Sequence, residues 1–414
     1  MNILVITQMF SQPDDAGDNK PTKTVNYFVK EWVTMGNNVV VFHCSSKFPL
    51  VYYYAPKFIT QKIVGKTSNI IPPIQSRKSL DRTENGARVF RVPMMKLMPG
   101  QAYSEKIMNK YCQQVISKLD EMQFVPDLVV GHFANPSAGL VSRLAKYYSA
   151  KSSIVFHGDC NERTIYRYEL EKYVKDIGAI GTRSYIESDN VKRLLNLNTN
   201  PFVCCSGVPD EIVRKANRIC DKHRNNDALN FLYVGSLISR KHVDSVLLAF
   251  DAICQKSGEK YSLNIIGGGN EESNLKELRN SLKSREKINF TGRISREEVF
   301  EYMKNADIFT LISEEEVYGM VYIEAMLQGC LVIASRGGGF DGIIKHGING
   351  FLCEPGDNMM LTDIYESIMN MSVDEKNKIG QAAIDTAVNY SERAVAERYL
   401  KDIMDNQKSN EEIN

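Results

Sequence analysis

Two doubly wound α/β sheets, one in each half of the chain, are what this sequence predicts, and three observations carry the prediction. At 414 residues the chain exceeds what one hydrophobic core usually covers, so two domains of about 200 residues each are the natural division. Short aliphatic runs alternate with stretches of helical spacing, the rhythm of a parallel sheet. That rhythm starts afresh near residue 229.

The opening run NILVIT (2–7) reads as a buried strand. Helical spacing follows at 22–36, ending at Gly36, and NVVVFHC (38–44) is the next strand. Between Tyr52 and Met108 the periodicity is lost among Pro72, Pro73, Pro93 and Pro99, which predicts loops and short helices. Alternation resumes with a helix at 103–122, a strand at 127–132, a helix at 139–149, a strand at 152–159 and a helix near 185–196. A charged connector, RKANRICDKHRNNDA, then leads to the second half. There, strands are legible at 229–235, 261–269, 287–292, 306–313 and 330–335, with helices at 243–255, 271–283, 295–304 and 319–328 between them. Ser295 and Glu298 have the spacing of a capping box. Two further helices and a polar tail close the chain. Domains are expected at 1–207 and 208–390, with 391–414 a C-terminal helix returning to the first domain.

Composition narrows the function. A net charge of +1 lacks the basic excess of a protein that coats nucleic acid, and no nucleic-acid motif is present. The nine cysteines are scattered and never spaced Cys-x-x-Cys, which predicts reduced thiols and no zinc site. The first residues enter a strand with no secretory pattern, and no uncharged apolar run reaches eighteen residues, so the expected location is cytoplasmic.

The chemistry concentrates in SEEEVYGMVYIEAMLQGC, beginning at Ser313. On one continuous helix, Glu316 and Glu324 would stand about 12 Å apart along the axis, too far to share an acid–base task. With the helix starting at Gly319, Glu316 lies in the preceding loop and both carboxylates can reach one extended ligand. Gly319 then permits close backbone approach, and the free N–H groups of Met320 and Val321 favour an anion. After the strand ending at Gly235, Arg240 and Lys241 supply cations suited to a diphosphate.

This string, with YVGSLISRK, LNIIGGG, INFTGRIS, YMKNADIFTLIS and the segment 337–357, resembles the Glu-x7-Glu signature region of glycosyltransferase family 4. These are retaining, nucleotide-sugar-dependent enzymes with the GT-B fold, two Rossmann-like domains facing across a cleft. VPDLVVGHF, IVFHGD and CCSGV fall in the family's order in the first half. The resemblance implies that Glu324 binds the donor ribose, Glu316 the transferred sugar, and Lys241 with the Gly319–Val321 backbone the diphosphate. Arg293 lies beside the base by the same comparison. His132 and the His157-Gly158-Asp159 turn face the reacting sugar and the acceptor. Three positions depart from the family pattern. Ser236 stands where an arginine is usual, Gly342 follows Asp341 where a glutamate is common, and the loop 13–24 lacks a Gly-Gly pair.

The implied reaction is sugar transfer to a glycan or lipid-diphosphate-linked acceptor in capsule, O-antigen or exopolysaccharide synthesis, with neither cofactor nor metal. A sugar-nucleotide epimerase or hydrolase, and a silent sugar-binding subunit, are the alternatives on the same fold. A nicotinamide oxidoreductase is disfavoured, since no Gly-x-Gly-x-x-Gly follows the first strand. From Lys57 to Lys106, ten Lys or Arg stand against three acids. The basic, aromatic-bearing stretch 52–106 therefore predicts peripheral contact with an anionic inner membrane face.

Overall fold

The computed structural model describes residues 1–11, 23–54, 74–216, 219–222, 228–256, 260–316 and 319–407. The loop 13–24, the connector and the 52–106 stretch therefore lie partly outside the described residues, and the tail from 408 wholly so. The chain divides into two compact units: Met1–Arg183, Glu187–Cys204 and Ala396–Asn414 form the first, and Ser184–Ile186 with Cys205–Val395 the second.

Unit 1 contains strands β1 (Asn2–Thr7), β2 (Asn38–His43), β3 (Ser46–Lys47), β4 (Leu80–Glu84), β5 (Ala87–Arg91), β6 (Met94–Met95), β7 (Leu128–His132), β8 (Lys151–Val155), β9 (Ala179–Thr182) and β10 (Phe202–Val203). Eight of them form one sheet in the order β10-β9-β8-β7-β1-β2-β5-β4, and β3 pairs with β6 beside it. The central strand explains the order: Ile3, Leu4, Val5 and Ile6 are wholly buried, so both faces of β1 need a cover of helices. Successive strands leave β1 in both directions, which makes the gap between β1 and β7 the topological switch point.

Among the described residues between Tyr52 and Met108, the short helices Val51–Tyr54 and Ile74–Arg77 match the expectation of loops and short helices, and a strand pair adds to it. Leu80–Glu84 and Ala87–Arg91 form an antiparallel hairpin that extends the sheet beyond β2. Its turn, Asn85-Gly86, has both residues at positive φ (48° and 82°), the backbone that matches strand twist in a two-residue loop. The helix Glu392–Asp405 supplies unit 1 with core from Ala396 onward. The indole of Trp32 donates to the Ala396 carbonyl at 3.1 Å. The Tyr399 ring packs on Phe28, Trp32, His132 and Phe202.

Unit 2 contains β11 (Ala228–Val234), β12 (Lys260–Ile266), β13 (Ile288–Gly292), β14 (Ile308–Leu311), β15 (Leu331–Ser335) and β16 (Phe351–Cys353), all parallel, in the order β13-β12-β11-β14-β15-β16. Its switch point lies between β11 and β14. The Ser295 capping box is present, the hydroxyl accepting from Glu298 N–H and the Glu298 carboxylate accepting from Ser295 N–H. A helix at Asn358–Asn370 was not read from the sequence, although Asp357 caps it by accepting from the N–H groups of Met359 and Met360. Among the described residues no helix is long and apolar enough to cross a membrane.

Candidate functional site

The switch point of unit 2 gathers most of the residues singled out in that half. The loop after β11 carries Gly235, Arg240 and Lys241; the loop after β14 carries Ser313 to Glu316. The two loops are joined through backbone and side chain. Glu314 N–H donates to the Arg240 carbonyl at 2.8 Å, and the Arg240 guanidinium donates to the Glu314 carbonyl at 3.2 Å. Lys241, a buried residue, pairs directly with the Glu316 carboxylate. The Ser313 hydroxyl donates to that same carboxylate oxygen at 2.9 Å. An ammonium and a carboxylate therefore share one point at the sheet's carboxyl edge, where a ligand phosphate and a ligand hydroxyl can each replace the other partner.

Glycines set the backbone around this pair. Gly319, φ 74°, caps the helix Met320–Leu327, and a Cβ there would stand 2.5 Å from the Tyr322 ring. Tyr322 is pinned by its hydroxyl, which donates to the Leu311 carbonyl at 2.7 Å. The helix thus starts beside Glu316, with the first N–H groups, those of Met320 and Val321, lacking carbonyls from its own turns. The run Gly267–Gly269 has a different task from a dinucleotide fingerprint. A Cβ on Gly267 would lie 1.8 Å from the Gly235 carbonyl oxygen, and one on Gly269 would lie 2.1 Å from that of Leu237. The glycines let the loops after β11 and β12 touch along their backbones. On the other side, Gly339 N–H donates to the Glu316 carbonyl at 2.6 Å, and the Ser335 hydroxyl to the Ser313 carbonyl at 2.6 Å. The Asp341 carboxylate accepts from Gly337 N–H at 2.7 Å, so it braces this turn.

Glu324 lies in the second turn of the same helix, buried, and burial raises its carboxyl pKa while the neighbouring Arg296 opposes the rise. Arg296 forms an ion pair with it. Sequence reading selected Arg293 in this loop and overlooked Arg296. Arg293 is exposed, its Nε next to Gly268. Nothing in the spacing ties position 296 to 324; only the sheet order brings them together.

In unit 1, His132 ends β7 and is fully buried, its ring against Phe28, Tyr399 and His157. Its Nδ1 lies 3.0 Å from His157 Nε2. Burial, helped by the Arg183 charge, pulls the His132 pKa down to about 3, and burial with the Arg183 and His132 charges takes His157 well below its ordinary value. Both imidazoles are neutral near neutral pH. Gly158, exposed and at φ 78°, forms the turn. Asp159 accepts from Ala134 N–H at 2.5 Å and His157 N–H at 2.9 Å, and burial raises its pKa. The turn also holds a group that sequence reading missed. Glu187 accepts from Gly158 N–H at 2.6 Å and Arg183 N–H at 2.8 Å, and burial pushes its pKa up to about 7. His132, expected at the cleft, is wholly enclosed by protein and reaches the turn through the His157 ring.

Residues 216–386 match the family described as Glycosyl transferases group 1. N-acetyl-alpha-D-glucosaminyl L-malate synthase of Bacillus anthracis is 32% identical over 132 residues, 32% of this chain and 34% of that protein, so the alignment spans about a third of this relative's length. The amylovoran biosynthesis glycosyltransferase AmsK of Erwinia amylovora is 24% identical over 375 residues, covering 84% and 88% of the two chains. Among solved structures, a glycosyltransferase from Rickettsia africae superimposes with a TM-score of 0.65 at 17% identity, covering 98% of each chain. The lipopolysaccharide outer core galactosyltransferase WaaB gives 0.64 at 16% identity, covering 98% and 99%. Residues 216–386 are thus a group 1 glycosyltransferase domain, a transferase's domain, in a chain with the GT-B glycosyltransferase fold.

Proposed function

We propose that the chain moves a sugar from a nucleoside diphosphate sugar to a hydroxyl of a glycan or lipid-diphosphate-linked glycan, with retention at the anomeric carbon, as a family 4 enzyme of surface-polysaccharide synthesis. The observation that carries this reading is the Lys241–Glu316 pair at the switch point, beside the open start of the helix Met320–Leu327. A diphosphate replaces Glu316 on the Lys241 ammonium and takes the N–H groups of Met320 and Val321, with Gly235 keeping the approach clear and Arg240 adding charge at the rim. Glu316, released, accepts from hydroxyls of the sugar. Glu324, held by Arg296, accepts from the ribose, and Arg293 lies at the base.

As the bond from the anomeric carbon to the diphosphate oxygen breaks, the electron pair leaves with the nucleotide, and Lys241 with the helix start stabilises the charge that develops. The acceptor oxygen bonds to the anomeric carbon on the same face, and its proton passes to the departing phosphate. Fixed cations supply the charge stabilisation, so we read the reaction as independent of metal. The acceptor belongs to unit 1, where His157, Gly158 and Asp159 meet its hydroxyl and His132 positions the turn. The protein works in the cytoplasm, resting on the anionic inner membrane face through 52–106, and salt-sensitive sedimentation with anionic vesicles tests that contact.

A thermal-shift screen of UDP-, GDP-, ADP- and CDP-sugars tests the donor reading, since a ligand that binds the folded state raises its melting temperature. One base class stabilises the wild type and fails to stabilise Lys241→Met. Free sugar released from donor without acceptor at the full rate would instead mark a hydrolase.

A further inference from the structure

Lys96 in unit 1 is a buried cation without a counter-charge. It follows β6, where its N–H donates to the Lys47 carbonyl at 2.9 Å. The residue is 4% exposed, and its ammonium lies 4.5 Å from the centroid of the Tyr103 ring. Among the described residues its ammonium has no hydrogen-bond or ion-pair partner, and burial alone lowers its pKa to about 8. The stem is buried while the ammonium tip keeps an opening to solvent, and the ring face beneath it offsets only about 2 kcal/mol of the cost of burying a charge.

The surroundings accentuate the imbalance. Segments 43–48, 74–79 and 91–103 contain Lys47, Arg77, Lys78, Arg91 and Lys96 and no acidic residue. They are tied together by the β3–β6 ladder, by the Ser45 hydroxyl donating to Ser76 at 2.9 Å and by the Arg91 guanidinium donating to Lys78 at 3.1 Å. The next acids along the chain are already engaged: Asp81 with Arg88, Glu84 with Arg82, and Glu105 with Arg143 and Lys172. Segments 43–48 and 91–103 leave the carboxyl ends of β2 and β5, the edge at which such sheets bind ligands. Tyr103, whose hydroxyl is 3.1 Å from that of Ser46, also lines a cavity of about 220 Å³ with Asn135, Arg167, Tyr168, Tyr173 and two acids, Glu105 and Glu169, a wall of ring faces and polar groups suited to a sugar.

Resting on the acceptor reading above, we propose that Lys96 recognises a phosphate or diphosphate group carried by the acceptor, with the sugar in the Tyr103 cavity. The cations of segments 43–48, 74–79 and 91–103, which contain no acid, match a multiply charged anion better than a single carboxylate, and the acids of the adjoining cavity suit sugar hydroxyls. Leu97 and Met98, 65% and 59% exposed, follow Lys96 directly and offer contact to an apolar chain when the phosphate is lipid-borne.

The test uses the full chain with Lys241→Met, which silences the donor phosphate site, titrated calorimetrically with inorganic pyrophosphate and with farnesyl diphosphate. Pyrophosphate binds this variant, and adding Lys96→Met weakens it about tenfold or more. In phosphate-free buffer Lys96→Met alone melts higher than wild type, because an unpaired buried charge is gone. Farnesyl diphosphate binding more tightly than pyrophosphate assigns a lipid-linked acceptor, and equal affinities assign a soluble phosphate. Equal pyrophosphate affinity with and without Lys96, or none in the Lys241→Met chain, overturns the proposal. So does a Lys96→Met protein that melts lower with unchanged anion affinity. Because the Lys96 comparison is made with Lys241 removed, it stands whether or not the wild type binds a nucleotide sugar.

Discussion

The carboxyl ends of the two sheets are built by opposite electrostatic strategies. At the end of β11 and β14 in unit 2, charges are present and already satisfied: Lys241 with Glu316, Arg296 with Glu324. At the end of β7 in unit 1, burial holds His132 and His157 neutral and raises the carboxyls of Asp159 and Glu187 toward their protonated forms. The first arrangement suits a ligand that brings its own charge and exchanges partners with a resident pair. The second suits a neutral hydroxyl held by fixed donors and acceptors. One fold, repeated, supplies both because the strands fix only where loops emerge, while loop residues decide what they carry.

The largest effect that sharpens this contrast comes from the resident pair. Lys241→Met is expected to lower kcat about 10²- to 10³-fold with the fold intact by circular dichroism, in line with loss of a preorganised stabilising group. Retained turnover would erase the distinction between the two edges. Next, Gly319→Ala forces a Cβ toward the Tyr322 ring at a residue of φ 74°, and chemical denaturation should register a loss of about 1 to 3 kcal/mol together with weaker nucleotide binding.

The neutral edge predicts a pH signature. His132 has its pKa lowered in the fold, so the unfolded chain binds a proton first as pH falls below 6.5, and stability is lost from there toward pH 3. At pH 5 this amounts to about 2 kcal/mol from His132 alone. Glu187, raised from 4.5 to about 7, acts oppositely: it favours the fold at low pH and loses that contribution as pH rises from 4.5 through 7. Glu187→Gln should therefore steepen the acid loss, and His132→Gln should flatten it. Fluorescence of Trp32, the single tryptophan and wholly buried in unit 1, follows both. The smallest effect is expected at Arg296. Its replacement by alanine frees Glu324 and should raise the donor KM about tenfold with kcat little changed, corresponding to one charge-assisted hydrogen bond lost at a distance from the reacting bond.

The sequence disclosed most of the central strands because runs such as NILVIT and CLVIAS are buried on both faces and carry no competing pattern. It singled out Glu316, Gly319 and Lys241 because their types suit a helix start and a diphosphate and their order resembles the family 4 signature, and the structure brings the three together at one switch point. The hairpin 80–91 stayed hidden. β4 alternates half-buried with exposed residues and holds Asp81, Arg82 and Glu84, so hydrophobicity is silent there, although Asn85-Gly86 is a turn signal in its own right. Arg296 and Glu187 stayed hidden for another reason. Each meets its partner only after strand order is known, and burial, which decides the Glu187 protonation, is a property of packing. Lys96 looked like one of ten basic residues in its stretch; of those described, Arg91 and Lys96 are buried, and Arg91 donates to the Lys78 carbonyl.

The most direct test is a crystal structure of the chain with a nucleoside diphosphate of the base class that the thermal screen selects. The Lys241–Glu316 contact is expected to be open there, with the diphosphate between the Lys241 ammonium and the N–H groups of Met320 and Val321. A diphosphate bound elsewhere in the molecule, with that ion pair closed as it is now, would contradict this expectation.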